Sequence, residues 1–210
     1  MMKKLLTVLI IFLLASSVFA KPSNPFYKPT YKPLGEKYYK VGEIVVDENE
    51  QPIAIIIRPI IDGQPHLGVA LDQGKNLAWS TEDADGYKAP FKFGSNGRSN
   101  QTVFFEGISD WGEDGEKYPA WAFAKNYNAG GFDDWYIPSV DELDIIYKNR
   151  KKINDALEYL GYPTFQYNMY WSTNQFPAER EKAYFYNFNF GVTPGTLKTE
   201  KKFVCVIREF

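Results

Sequence analysis

Residues 134–143 constrain the fold most, because they join an aromatic, strand-like run to a clearly marked helix start. Pro138 disfavours helical backbone at Ile137. Ser139 is a candidate N-cap, and Glu142 stands three residues later, at the spacing of a capping box. Acidic side chains in the first turn also complement the positive end of the helix dipole. The sequence therefore predicts a helix that begins sharply after Ser139.

The first 20 residues have the composition of a secretory signal peptide. Lys3 and Lys4 precede an apolar run, and small residues lead to a cleavage point after Ala20. The alternative is a membrane anchor, but the run is shorter than the roughly 20 residues that span a bilayer. Cleavage predicts an exported chain without a transmembrane segment. The periplasm, the cell surface and the medium all fit this signal.

Residues 21–40 are predicted to be a Pro-rich linker, with prolines at positions 22, 25, 29 and 33. Such a segment favours extended polyproline II over packing. It is interpreted either as a spacer or as a basic, aromatic tether to an acidic cell-surface polymer. The formal net charge of the whole chain is −2, and residues 1–20 hold two lysines and no acid. This mild charge argues against nucleic acid as the main partner.

Hydrophobic periodicity predicts an α+β domain over residues 41–210, with both ends of the chain in one antiparallel sheet. The segment 81–117 is long, polar and rich in Gly, Asp and Asn, so we expect a functional loop or partial disorder there. The segment 140–160 is expected to form two helices, or one helix with a break near Asn149. Strands are predicted at 42–46, 52–61, 67–71, 77–80, 167–173, 183–190 and 203–210, and helices at 119–129 and 140–160.

Two motifs resemble a known family of bacterial exported domains, that of the C-terminal domain of collagen-like adhesins. Gly130-Gly131 followed by Trp-Tyr-Ile-Pro-Ser-x-x-Glu-Leu at 135–143 is similar to its Gly…Trp-Arg-Leu-Pro-(Ser/Thr)-x-x-Glu-Leu signature. Tyr-Trp-Ser-Thr at 170–173 resembles its Tyr-Trp-Ser-Ser element. The departures are Tyr136 in place of Arg and Thr173 in place of the second Ser. The resemblance covers residues 120–210 well and 41–119 loosely. It implies a C-type-lectin-like fold, related to the formylglycine-generating enzyme group.

Few residues suit catalysis or metal binding. The single cysteine, Cys205, lies in an apolar run, so we expect a buried, inert thiol rather than a redox centre. The single histidine, His66, is expected to be a solvated turn residue. The acids of the long loop, from Asp83 to Glu116, could hold calcium, but solvated side chains are the preferred interpretation. We expect no cofactor.

The aromatic strand 183–190 is the best candidate for a binding surface. Strand alternation puts Phe185, Asn187 and Asn189 on one face, which we expect to point outward. Beside Trp171 and the following turn, that face would stack on sugars or grip a peptide. A half-solvated face without a ligand is the alternative. The ligand-binding candidates are Trp111, Trp171, Asn174, Phe185, Asn187 and Asn189.

Three functional hypotheses follow from these patterns. The first is an exported, non-enzymatic binding module for a glycan or protein at the cell surface. The second is a carboxylate-based hydrolase of envelope polysaccharide, which requires two acids in one pocket, at least one with a raised pKa. The third is a structural component of an envelope assembly.

Overall fold

Two five-stranded sheets and three helices make up the part of the chain that the computed structural model describes, residues 24–165 and 168–210. The predicted α+β class is confirmed. The predicted signal peptide and the start of the linker lie outside the described residues. No helix in residues 24–165 and 168–210 is long and apolar enough to cross a bilayer.

The first sheet contains strands from both ends of the chain, as the sequence predicts. Its order is β1-β2-β3-β4-β10. The β1–β2 pair is parallel and the other pairs are antiparallel, so the sheet is mixed rather than purely antiparallel. Its strands are β1 (Tyr31–Pro33), β2 (Ile44–Val46), β3 (Pro52–Arg58), β4 (Leu67–Ala70) and β10 (Ile207–Glu209).

The second sheet has the order β5-β9-β6-β7-β8, with a parallel β6–β9 pair and antiparallel pairing elsewhere. Sequence patterns did not predict β8, which follows a Pro-Gly turn. The strands are β5 (Gly74–Ala78), β6 (Met169–Gln175), β7 (Lys182–Asn187), β8 (Gly195–Leu197) and β9 (Lys201–Val204).

The segment predicted as one last strand, 203–210, is divided between the two sheets. β9 ends at Val204, and β10 begins at Ile207. Between them, the backbone carbonyl of Val206 accepts a 2.9 Å hydrogen bond from the N–H of Ala70. The chain therefore passes from one sheet to the other without leaving the core.

Three helices flank the sheets: α1 (Gly97–Gly107), α2 (Pro119–Lys125) and α3 (Val140–Tyr159). The sequence did not predict α1, which lies within the long polar segment. Its N-cap is Asn96, whose side chain accepts from the N–H of Ser99 at 2.8 Å. The aromatic residues of this segment pack inward, and Phe104 is fully buried. The segment is therefore ordered around an aromatic core.

The helix α3 starts at the predicted position and runs without a break. Ser139 and Glu142 form the capping box reciprocally. Asn149, where a break was considered, donates from Nδ2 to the carbonyl oxygen of Ile145 at 3.1 Å. This bond to the preceding turn is compatible with helical backbone, and the helix continues through this position to Tyr159.

The core lies on both faces of the strands. Alternate residues of the last segment show this, since Val204 and Val206 belong to one apolar cluster and Cys205 and Ile207 to the other. The first cluster contains the buried apolar side chains of α1 and α2, and the second contains those of α3. Helices on both faces explain why few strand residues are solvated.

The second half of the predicted linker packs against the domain. β1 pairs with β2 through residues Tyr31–Pro33. Tyr39 is buried, and its hydroxyl donates to the carbonyl oxygen of Pro33 at 2.8 Å. Tyr39 supplies apolar surface that a solvated spacer would leave exposed, whereas Tyr31 and Tyr38 remain exposed.

The predictions for the single cysteine and the single histidine have different outcomes. Cys205 is buried as predicted, and burial raises the pKa of its thiol above the usual range. The solvated position predicted for His66 is wrong, because only 2% of its surface is exposed. Its ring meets Tyr39 edge-on at 4.7 Å, and Nε2 lies 3.2 Å from the carbonyl oxygen of Lys37. His66 therefore anchors the segment that precedes β2.

Candidate functional site

A cleft of about 590 Å³ lies between residues 90–93 and the β6–β7 turn. Phe91 and Phe93 form one wall, with their rings stacked at 5.0 Å and 14°. Tyr184 lies on the opposite strand, β7, and is partly exposed. The cleft is lined by Pro90, Phe91, Lys92, Phe93, Val140, Asn174, Gln175, Pro177, Arg180, Tyr184 and Thr193.

The cleft is positively charged. Lys92 and Arg180 line it with exposed side chains, and the described lining residues include no carboxylate. The amides of Asn174 and Gln175 also line it, but Asn174 is bonded within the protein at both ends and Gln175 donates from Nε2 to the carbonyl oxygen of Arg180 at 2.6 Å. Aromatic faces and two cations together suit a hydroxyl-rich ligand that carries acidic groups.

Asn174 is held at the cleft by bonds at both ends of its amide. Its Oδ1 accepts from the N–H of Val140 at 2.9 Å, which satisfies one free N–H of α3. Its Nδ2 donates to the carbonyl oxygen of Gly94 at 2.9 Å. Asn174 therefore fixes the distance between the helix start and the Phe91–Phe93 wall.

The wall is supported from behind by a buried lysine. Lys198 has no exposed surface, and its ammonium donates to the carbonyl oxygens of Gly86 at 3.0 Å and Tyr87 at 2.8 Å. The charge also lies 4.2 Å from the centre of the Trp79 ring, a cation–π contact. Burial lowers the pKa of Lys198 to about 7, against the attraction of Glu181. Lys198 ties the backbone that leads to Phe91 to the second sheet.

Glu142 fixes the start of α1 to the start of α3. Its Oε2 accepts from the N–H groups of Gly97 at 2.9 Å and Ser139 at 2.8 Å, and the Tyr136 hydroxyl donates to Oε1 at 3.3 Å. Burial raises the pKa of Glu142, whereas these hydrogen bonds lower it. Its hydrogen bonds give the carboxylate a structural role in the fold.

Most acids of the long segment are exposed, as the sequence predicts, but Asp85 and Asp110 also join a hydrogen-bond network around Tyr118. Tyr118 is buried, and its hydroxyl lies within 2.6 Å of carboxylate oxygens of both Asp85 and Asp110. Lys117 donates to Asp110 at 2.8 Å. Burial opposes ionisation of Asp110, but hydrogen bonds from its neighbours hold its pKa well below the usual range. In residues 24–165 and 168–210, no three His, Cys, Asp or Glu side chains are grouped to hold a metal ion.

The predicted outward face of the aromatic strand is wrong, because its central residues are buried. Phe185 and Asn187 are each 7% exposed, and Trp171 is fully buried. The indole N–H of Trp171 donates to the carbonyl oxygen of Leu77 at 2.9 Å. The helix α3 packs on the other side of β7, so both faces of this strand are covered.

The six predicted ligand-binding residues do not converge on one site. Asn174 lines the cleft. Asn189 is exposed and lines a separate depression with Lys148 and Arg150. Trp111 lies elsewhere, stacked against Tyr118 at 5.8 Å and covered by the Lys125 ammonium at 4.8 Å.

Sequence analysis missed the main residues of the cleft, Phe91, Lys92, Phe93 and Arg180. One signal was available: the run Phe-Lys-Phe alternates aromatic and cationic side chains inside a polar segment. In extended backbone this alternation puts both rings on one side of the chain. The pattern was not recognised as a binding signal because the whole segment 81–117 has the composition of a loop.

Comparison with known proteins identifies a family. No curated protein is detectably similar in sequence to the chain. The solved structures similar to it include a fimbrial protein from Bacteroides ovatus, with 15% sequence identity and a TM-score of 0.47. That match covers 69% of this chain and 36% of the fimbrial protein, so the chain spans about a third of that protein's length. The profile of the Lcl C-terminal domain matches residues 68–208, which include the cleft, α3 and the last strands. The chain therefore belongs to the Lcl C-terminal domain family.

Proposed function

We propose that this protein is an exported, non-enzymatic binding module whose cleft takes an acidic glycan at a cell surface. The observation that carries the proposal is the lining of the cleft, where the Phe91–Phe93 wall meets Lys92 and Arg180 without a carboxylate. Aromatic rings stack on the apolar faces of sugars, and cations pair with sulfate or carboxylate groups. Membership of an exported domain family would agree with this role. The proposal includes removal of residues 1–20 on export.

The geometry favours a chain-like ligand over a small one. The cleft is open to solvent along residues 90–93 and the β6–β7 turn, and it is lined by residues from both sides. Of the two cations, neither Lys92 nor Arg180 has an ion-pair partner among the described residues. Because their charges are not neutralised within the protein, they are available to a polyanion. We also propose that the fold is C-type-lectin-like, which is supported by the two chain ends meeting in one sheet.

The test compares two polymers that differ in charge alone, dextran and dextran sulfate, on immobilised surfaces with calcium and again with chelator. We expect binding of dextran sulfate in both conditions and much weaker binding of dextran. Replacement of both cations, Lys92→Ala with Arg180→Ala, should weaken binding about tenfold, or about 1.4 kcal/mol. The matched control is Lys75→Ala with Lys201→Ala, which removes two exposed lysines outside the cleft.

Two further variants separate the contribution of charge to binding from that of ring stacking. Phe93→Ala should lower the affinity for dextran sulfate, whereas Phe190→Ala, which removes an exposed ring elsewhere, should leave it unchanged. Equal losses in the cleft and control variants would show non-specific attraction and would contradict the proposal. Binding that disappears with chelator would also contradict it, because the cleft as described binds through side chains alone.

A further inference from the structure

A turn near the start of the described chain holds an aromatic ring out in the solvent. The N–H of Tyr27 donates to the carbonyl oxygen of Asn24 at 3.1 Å, and the N–H of Phe26 donates to the Asn24 side chain at 3.1 Å. Phe26 stands at the tip of this turn and is 87% exposed, more than any other large apolar side chain of the described residues. An ordered, exposed phenyl ring is a typical anchor for a protein contact. We name residues 24–28 the knob.

A groove of about 760 Å³ lies beside β1 and the β2–β3 turn. Its floor is apolar, and its rim carries Asp47, Glu48 and Glu50 with no cation among the described lining residues. The Asp47 carboxylate accepts from backbone N–H groups of the turn, whereas Glu48 and Glu50 have no ion-pair partner in the described part of the chain. The groove is lined by Tyr31, Pro33, Val46, Asp47, Glu48, Glu50, Pro52 and Leu160.

The knob and the groove are complementary in character. The knob combines an apolar ring with Lys28, which is exposed and has no ion pair in the described residues. The groove combines an apolar floor with two unpaired carboxylates. A ring on the floor and an ammonium at the rim would remove apolar surface from water and pair opposite charges.

The knob and the groove are also neighbours on the same surface. The Tyr27 ring lies 5.8 Å from that of Tyr159, and the next residue, Leu160, lines the groove. Tyr31, which follows the knob, lines it as well. Since Phe26 is almost fully exposed, the knob does not fill the groove of its own chain. Because the knob and the groove lie on one surface, two copies related by a two-fold axis can each place the knob in the groove of the other.

We propose that the protein forms a two-fold dimer in which the Phe26 ring of each copy enters the groove of the other. Lys28 of each copy then pairs with Glu48 and Glu50 across the interface. Both contacts are made twice, so the interface closes and leaves no unmatched knob. This inference goes beyond the proposed function and uses none of the residues that line the cleft.

Sedimentation equilibrium of the protein, purified as its host produces it, tests the dimer over a range of concentrations. We expect a reversible monomer–dimer equilibrium that Phe26→Ser weakens at least tenfold. Phe190→Ser is the matched control, because Phe190 is also exposed, at 75%, and lies outside the groove. Circular dichroism should show that both variants fold, since neither ring is part of the core.

Charge reversal provides an independent test. Lys28→Glu alone and Glu48→Lys with Glu50→Lys should each weaken the dimer, and the combination of all three should restore it. Lys75→Glu, an exposed lysine of β5, is the control for net charge. A monomer at every concentration would overturn the proposal. A dimer that is indifferent to Phe26→Ser, or a triple variant that fails to recover, would show that another surface mediates association and would overturn it equally.

Discussion

At the scale of single residues, the carboxylate of Glu142 serves as an acceptor for two backbone segments. It receives the N–H groups of Gly97 and Ser139 and the hydroxyl of Tyr136. Burial raises its pKa, whereas its hydrogen bonds lower it. Because three donors converge on its two oxygens, we expect the fold to depend on the acceptor geometry of this side chain.

We expect Glu142→Gln and Glu142→Ala to differ sharply in stability. Glutamine can place its carbonyl oxygen where Oε2 receives both N–H groups, so its free energy of unfolding should fall by less than about 1 kcal/mol. Alanine leaves two buried donors without an acceptor and should cost about 2–3 kcal/mol. Urea denaturation of both variants measures the difference, with the exposed Asp141→Ala as control. Equal losses for Gln and Ala would mean that the charge itself is required.

At the scale of elements, the sequence predicted the features that depend on contacts between residues close together in the chain. The capping box located the start of α3, and the Asp62-Gly63 turn has the positive φ angles, 50° and 77°, that a tight hairpin requires. The helix α1 escaped prediction because its apolar residues, Val103, Phe104 and Phe105, are consecutive rather than spaced by three or four. The division of the last strand also escaped, since Val204 to Ile207 reads as one β run while tertiary pairing assigns its ends to different sheets.

The start of α1 provides a prediction whose sign opposes helix propensity. Gly97 is the first residue of the helix, and Ala there would gain up to about 1 kcal/mol from propensity alone. A Cβ at this position would lie 2.4 Å from the carbonyl oxygen of Ile137 and 2.7 Å from Oε2 of Glu142. Because backbone must move to relieve the first contact, we expect Gly97→Ala to lower the free energy of unfolding by about 1–3 kcal/mol.

Gly94→Ala is the matched control for Gly97→Ala. It lies three residues earlier, and a Cβ there would meet nothing within 4 Å. We expect its stability to change by no more than about 0.5 kcal/mol. Thermal or urea unfolding measures both variants under one set of conditions. A Gly97→Ala variant as stable as Gly94→Ala would show that the two helix starts are not tightly packed together.

At the scale of the whole molecule, the sequence predicted the class of fold but not the site. Strand and helix periodicities are local, and they suffice for an α+β assignment with both ends in one sheet. The cleft joins Phe93 to Asn174 and Arg180, which lie far from it in sequence, so it depends on tertiary contacts such as the hydrogen bond of Asn174 to Gly94. The buried faces of β7 were misjudged for a related reason. Alternation of polar and aromatic residues predicts one solvated face, whereas Asn187 is buried under neighbouring structure.

Lys198 makes the stability of the whole molecule depend on pH. Its ammonium is buried between the second sheet and the backbone of Gly86 and Tyr87. Burial lowers its pKa to about 7 from an ordinary value of 10.5 in the unfolded chain. Between these two values the unfolded chain binds more protons than the folded one, so stability increases as pH rises. The expected window begins near pH 7 and extends to about pH 10.5, and only its lower part lies below the ordinary pKa values of cysteine, 9.0, and tyrosine, 10.0.

We therefore expect the free energy of unfolding to rise between pH 7 and 8.5, by at most about 1.4 kcal/mol per pH unit. Lys198→Met should remove the part of this slope that Lys198 contributes, because methionine fills the same apolar space and carries no titratable group. Lys202, whose pKa burial also lowers, contributes in the same direction and remains in both proteins, so the difference between them isolates Lys198. Lys201→Met, at an exposed position, controls for the loss of a charge. If urea unfolding gives the same slope for Lys198→Met as for the unmodified protein, the carbonyl oxygens and the Trp79 ring hold the ammonium charged throughout this range, and Lys198 stabilises the cleft wall at every pH tested.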